Sequence, residues 1–137
     1  MKVDLTQLVN NPKTGNPFYL INEIRGQYVM VGNPPQPARN QYGQKLKETE
    51  EVDMTLRACL LEALDLAAKD RKIEDARRVH KWVDRIVEHD VCHFDDKEAA
   101  ELIEAVHTRF GQLIFGAVDK IFKKASDDEE AAKRNVQ

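Results

Sequence analysis

Two kinds of apolar pattern divide this chain near Asp53. Downstream, "DMTLRACLLEALDLAAK" places Leu56, Cys59, Leu60, Ala63, Leu64 and Ala67 at the three-and-four spacing of a helix stripe. Leu61, Leu66 and Ala68 widen that stripe, so the helix is expected to be enclosed on several sides. Asp53 or Thr55 is placed to cap its first turn. After "KDRK", a second helix is predicted from Ile73 to His89, with Ile73, Ala76, Val79, His80, Val83, Ile86 and Val87 inward. A third helical region opens near Asp96. Its apolar positions, Leu102, Ile103, Val106, Phe110, Leu113, Ile114, Ala117, Val118 and Ile121, run in near-heptad spacing to about Lys124. Gly111 and Gly116 lie inside it, each lowering helix propensity by about 1 kcal/mol relative to Ala. A break near Gly111 is predicted. His80 and His107 both fall on apolar faces and are expected to be hydrogen-bonded core residues.

Upstream of Asp53 the helical period is absent, and all five prolines and four of the six glycines occur there. Phe18–Ile24 and Gln27–Val31 are rich in strand formers, and Arg25-Gly26 between them suits a tight turn because Gly tolerates positive φ. A β-hairpin is predicted, resting on something else, since a lone hairpin is marginal in water. Val3, Leu5, Leu8 and Val9 could add a strand or a short helix. "GNPPQPARNQYGQ" is expected to form a stiff, extended linker. The closing segment, 126–137, is charged and poor in large apolar residues, and a frayed helix end or a flexible tail is expected. The fold class is therefore α+β: an N-terminal β-hairpin packed on a C-terminal three- to four-helix bundle. It forms a single domain over 1–125, with a β-prone and linker part, 1–53, and a helical part, 54–125.

Composition narrows the function classes. A chain of 137 residues, 33% charged and 42% hydrophobic, suits one folded domain. Its formal charge of −3 gives no global basicity that would point to nucleic acid. Two cysteines make no disulfide framework. The N-terminus has no apolar run of signal-peptide length, and nothing approaches the ~20 apolar residues of a membrane span. A cytoplasmic setting is the expectation.

The densest chemistry lies in "HDVCHFDD", His89 to Asp96, with two histidines, a cysteine and three aspartates. His89, Cys92, His93 and Asp95 are the candidate metal ligands, because zinc takes about four Cys, His or carboxylate ligands in a tetrahedral shell. A cysteine nucleophile with a neighbouring histidine is the catalytic variant. Helix capping accounts for more of the residues. Asp95 precedes a helical run and Glu98 follows three later, a capping-box arrangement. Asp96 and Glu98 put negative charge at the positive end of the helix dipole, and Phe94 holds the staple position. No metal, cofactor or catalytic residue is assigned. No P-loop, dinucleotide fingerprint or H-E-x-x-H motif occurs.

A second candidate is the basic helix 71–85. Arg71, Arg78, Lys81 and Arg85 lie near Trp82, and basic groups beside an aromatic can track a nucleic-acid backbone. From Lys69 to Glu88, seven basic less five acidic residues leave only +2, which suits a solvated face. The third candidate is a protein-binding surface built on Tyr19, Tyr28, Tyr42 and Trp82, residue types that interfaces favour. The near-heptad face of the last helices could also support a homo-oligomer.

"MTLRACLLEAL", a variable middle helix, and "DDKEAAELIEAVHTRFGQLIFGAVDKIF" together resemble a class of small bacteriophage and prophage accessory proteins. The resemblance spans about Met54 to Phe122. It implies a phage setting, hence the host cytoplasm, and a small non-enzymatic role, and it carries no functional residues over. The expected function is protein binding, as an inhibitor of a host factor or as an assembly factor. Nucleic-acid binding through 71–85, and a zinc or cysteine site at 89–95, are the alternatives.

Overall fold

A computed structural model describes residues 1–69 and 73–135, apart from the side chains of 68, 69 and 73–76. Among the described residues the fold is α+β, with antiparallel strands toward the N-terminus and four helices after them. The chain forms two compact units. One joins Met1–Phe18 to the chain from Met54 onward, and the other is Tyr19–Asp53.

In the helical unit, β1 (Lys2–Asp4) pairs antiparallel with β6 (Val91–His93) in the register Lys2↔His93, Val3↔Cys92, Asp4↔Val91. Side chains alternate across a strand, so Val3 and Cys92 turn into the core together and are buried. Residues 5–9 then run past the start of α1 (Leu56–Lys69). A helix leaves its first N–H groups without intrahelical partners. Here Leu56 N–H donates to the Gln7 carbonyl at 2.8 Å and Arg57 N–H to the Leu5 carbonyl at 3.0 Å. Thr55 caps the same turn, its Oγ1 accepting from Ala58 N–H at 3.1 Å. Thr55 rather than Asp53 is thus the cap. The N-terminal segment is not part of the predicted hairpin but belongs to the helical core.

Helix α1 packs against both α2 (Ile73–Glu88) and α3 (Asp96–Phe110), as its broad apolar surface requires. Leu56, Cys59, Leu60, Ala63 and Leu64 are buried. Helix α3 adds Ala99, Leu102, Ala105 and Val106, and α4 (Gln112–Asn135) adds Ala117, Val118 and Phe122. The α3–α4 break is at Gly111, whose φ of +86° with ψ of −165° is a conformation essentially restricted to glycine. Beside the break, the His107 and Phe115 rings lie 4.7 Å apart.

Several expectations change, while the segment 126–135 takes the helix-end alternative and extends α4 to Asn135. Ala, Glu, Lys and Arg are strong helix formers, and Glu129 and Lys133 face each other one turn apart at 3.9 Å. His80 is exposed, 3.9 Å from Asp84. Val87 and His107 are exposed too. The buried face of α2 is narrower than its apolar pattern, centring on Val79, Trp82 and Ile86. The inward assignments of Ile73 and Ala76 fall on side chains outside the described set.

In the other unit, Arg25-Gly26 is no hairpin turn. The first predicted strand runs on through Tyr28 as β2 (Tyr19–Tyr28), leaving Met30–Val31 of the second as a separate strand, and the partner of β2 is β5 (Lys47–Asp53). The register runs from Tyr19↔Asp53 to Glu23↔Thr49 and resumes at Tyr28↔Lys47. Residues 24–27 bulge opposite Glu48, with Gly26 at φ +78°. A bulge uses a positive-φ glycine just as a turn does, which is why local sequence did not separate the two. The proline-rich stretch is not a linker. It holds β4 (Gln36–Pro37), which pairs antiparallel with β3 (Met30–Val31) across a turn containing a cis Asn33–Pro34 bond. Val29, Ala38 and Leu46 close this end as a ring of main-chain bonds: Val29 N–H to Leu46 O, Leu46 N–H to Ala38 O, Ala38 N–H to Val29 O, all 2.8–2.9 Å.

Leu102 has no exposed surface and lies where α3 meets α1. Leu102→Ala is expected to cost about 2–5 kcal/mol, seen as a lower urea midpoint at unchanged slope.

Candidate functional site

The chemistry-rich segment resolves into a polar clasp that joins helix ends. Asp95 is the N-cap of α3. Its Oδ1 accepts from Glu98 N–H at 2.7 Å, while Glu98 Oε1 accepts from Asp95 N–H at 3.1 Å, completing the capping box. The other Glu98 oxygen accepts from Arg85 Nη1 at 2.7 Å and from the Trp82 indole N–H at 3.2 Å. Arg85 also donates to the His93 carbonyl and lies over the Phe94 ring. Glu98 therefore ties the start of α3 to two α2 residues about one turn apart, Trp82 and Arg85.

A second arginine closes the other side. Arg57 Nε donates to the Ile86 carbonyl at 3.0 Å, and its Nη2 donates to the His89 carbonyl at 3.0 Å and pairs with Asp90 at 2.6 Å. The Ile86 carbonyl in the last turn of α2 is thereby satisfied by a cation, which also suits the negative end of the helix dipole.

The candidate ligands diverge within this frame. Cys92 and His93 are neighbours on β6 and point to opposite faces, Cys92 buried and His93 exposed. The Cys92 thiol donates to the Arg85 carbonyl at 3.4 Å. Asp95 is committed to the cap. Among the described residues, no three His, Cys, Asp or Glu side chains are grouped to hold a metal ion. Burial pushes the Cys92 thiol up, against the opposing pull of Arg85 and Arg57. Burial likewise raises Cys59, to about 12. A thiol held neutral is a poor nucleophile.

The basic face of α2 is largely engaged as well. Arg78 pairs with Glu101 at 3.2 Å and lies over the Trp82 ring. Arg85 is held by Glu98, and Lys81 is exposed. Arg71 lies outside the described residues. Trp82, expected as a surface anchor, is only 8% exposed. Its indole covers the core, and its N–H has a partner.

The three tyrosines fare differently. Tyr19, Tyr28 and Tyr42 all belong to the Tyr19–Asp53 ribbon, at 57%, 40% and 78% exposure. No residue of this ribbon reaches full burial. Ile21, Met30, Val31, Leu46 and Val52 are also exposed there. Local sequence does not mark these aliphatic residues as exposed, because exposure of Ile21 depends on its cross-strand neighbour being Glu51. The signal that could have found them is the polar composition of "KETEEVD", which offers almost nothing apolar to cover a partner strand. Of the large hydrophobic side chains exposed anywhere in the described structure, most lie on this ribbon.

No helix among the described residues is long and apolar enough to cross a membrane. Comparison with protein-family models, curated proteins and solved structures finds no match to this chain.

Neither thiol is expected to react with a chromogenic disulfide reagent at pH 8 in the folded protein, and both should react on unfolding. For Cys59 the folded pKa lies above the unfolded one. Its stabilising contribution is thus complete below about pH 9 and is lost as pH rises toward 12. Prompt labelling of the native protein would contradict this.

Proposed function

We propose that this protein is a non-enzymatic, protein-binding accessory factor whose binding surface is the Tyr19–Asp53 ribbon. The observation that carries the reading is a folded β-ribbon with no buried residue and a run of exposed tyrosine and aliphatic side chains. Isolated two-stranded ribbons are marginal in water, and contiguous exposed apolar surface marks interaction sites. A ribbon that spends its apolar residues on its surface gains most of its burial from a partner. Its outer strand edges also carry main-chain groups on which a partner strand can add.

The resemblance of the helical half to small bacteriophage and prophage proteins supports a phage-type role in the host cytoplasm. That role is inhibition of a host factor or assistance in particle assembly. The helical unit then serves as the stable carrier. Its polar clasp uses the catalytic-looking residues for capping, and its arginines for ion pairs and helix ends.

The test replaces Tyr19, Ile21 and Tyr42 with serine and compares affinity capture from bacterial lysate with the unaltered chain. A partner held by the unaltered protein should be lost from the triple variant at an unchanged melting temperature. Equal capture by both proteins would overturn the reading, and so would no specific capture by either from a chain that also fails to bind itself.

A further inference from the structure

The ribbon's charges are segregated along its length. Residues 25–47 contain Arg25, Arg39, Lys45 and Lys47 and no acidic residue. The stem formed by 19–23 and 48–53 contains Glu23, Glu48, Glu50, Glu51 and Asp53 and no basic residue. The boundary is marked by the cross-strand pair of Lys47 with Glu23 at 3.2 Å. Apolar groups accompany both signs. In the stem, Tyr19 and Ile21 share a face with Glu51 and Asp53 through the pairs Tyr19↔Asp53 and Ile21↔Glu51. In the tip, Lys45 lies over the Tyr28 ring, and Tyr42 and Met30 are exposed beside the basic residues.

Such a segment carries its own complement. Laid tip to tip, two copies would oppose like charges. Related by a twofold axis across the ribbon, each basic tip meets the acidic stem of the other, and the arrangement repeats itself in both directions. Charge complementarity fixes register and orientation in this way, while the exposed tyrosine and aliphatic side chains supply the surface to be buried. Part of the near-heptad face of α3 and α4 is already committed, because Leu102, Val106, Ala117 and Val118 fill the core.

We propose that the occupant of the ribbon surface is a second copy of this chain, bound tip over stem in an isologous dimer. The inference rests on the reading of the ribbon as a protein-binding surface and names its partner. Self-association of this kind favours the assembly role over inhibition.

The experiment uses the full chain in two variants. One reverses two tip charges (Arg39→Glu with Lys45→Glu), and the other reverses two stem charges on the face of Tyr19 and Ile21 (Glu51→Lys with Asp53→Lys). Sedimentation velocity should show a dimer for the unaltered protein that weakens as salt is raised, since exposed charges are screened beyond roughly 8 Å at physiological ionic strength. Each variant alone should self-associate at least about tenfold more weakly, as loss and reversal of several exposed pairs implies. An equimolar mixture should restore the dimer, because the reversed tip positions of one variant then face the reversed stem positions of the other. That restoration cannot come from misfolded chains. An unaltered protein that stays monomeric at high concentration and low salt overturns the proposal without recourse to the variants. So does a mixture of folded variants that fails to dimerise. A monomer that binds oligothymidylate through Arg39 and Lys45 would make the tip a nucleic-acid surface instead. A monomer whose ribbon still captures a bacterial protein would sink the self-pairing and leave the proposed function standing.

Discussion

The structure depends on how the first turn of α1 finds its hydrogen-bond partners. Leu56 and Arg57 donate their N–H groups to the carbonyls of Gln7 and Leu5. Val9 N–H then bonds the Met54 carbonyl, and Met54 N–H bonds the Phe18 carbonyl. Unpaired main-chain groups are costly in an interior, so these bonds hold the chain on both sides of the ribbon together. The consequence is topological. Everything from Tyr19 to Asp53 must leave and return at one place, and it folds as a unit of its own. The same Arg57 whose N–H joins this seam sends its side chain to the end of α2, so one residue links the N-terminal segment, α1 and α2.

The polar clasp shows how a segment rich in reactive residue types can be spent on architecture. Glu98 serves the capping box, Arg85 and Trp82 together. A carboxylate accepting several bonds at a helix N-terminus is well satisfied there. Arg85, partly buried with its partner, holds the β6 main chain as well as Glu98. Cys92, the most nucleophilic type present, is turned inward by strand alternation and kept neutral by burial. The clasp and the ribbon thus divide the labour: one satisfies its polar groups internally, and the other leaves its apolar groups to be covered.

Particular elements show where the sequence was sufficient. The four helices were legible because apolar residues recur along each of them at a 3.6 period. The Asp95–Glu98 capping box and the Gly111 break were legible for a local reason too, since caps and positive-φ glycines act within a few residues. The strands were less legible. Met30–Val31 and Gln36–Pro37 pair across prolines that argued for a linker, and β2 finds its partner well beyond the adjacent strand former. Strand pairing is set by distant residues, and short strands carry little periodicity of their own.

By itself the sequence determined the class of the fold, the helical register, the cap and the break, because each is a property of neighbouring residues and of a period. Tertiary structure alone decided that residues 1–18 belong with the helices, that Arg25-Gly26 is a bulge, that Trp82 is buried and that His80 is not. It also decided that Tyr19, Tyr28 and Tyr42 share one uncored ribbon with Ile21 and Met30. Those outcomes turn on which main-chain groups meet across long sequence separations. A residue's type states what it can bury or bond, and only the assembled chain states whether anything is there to meet it.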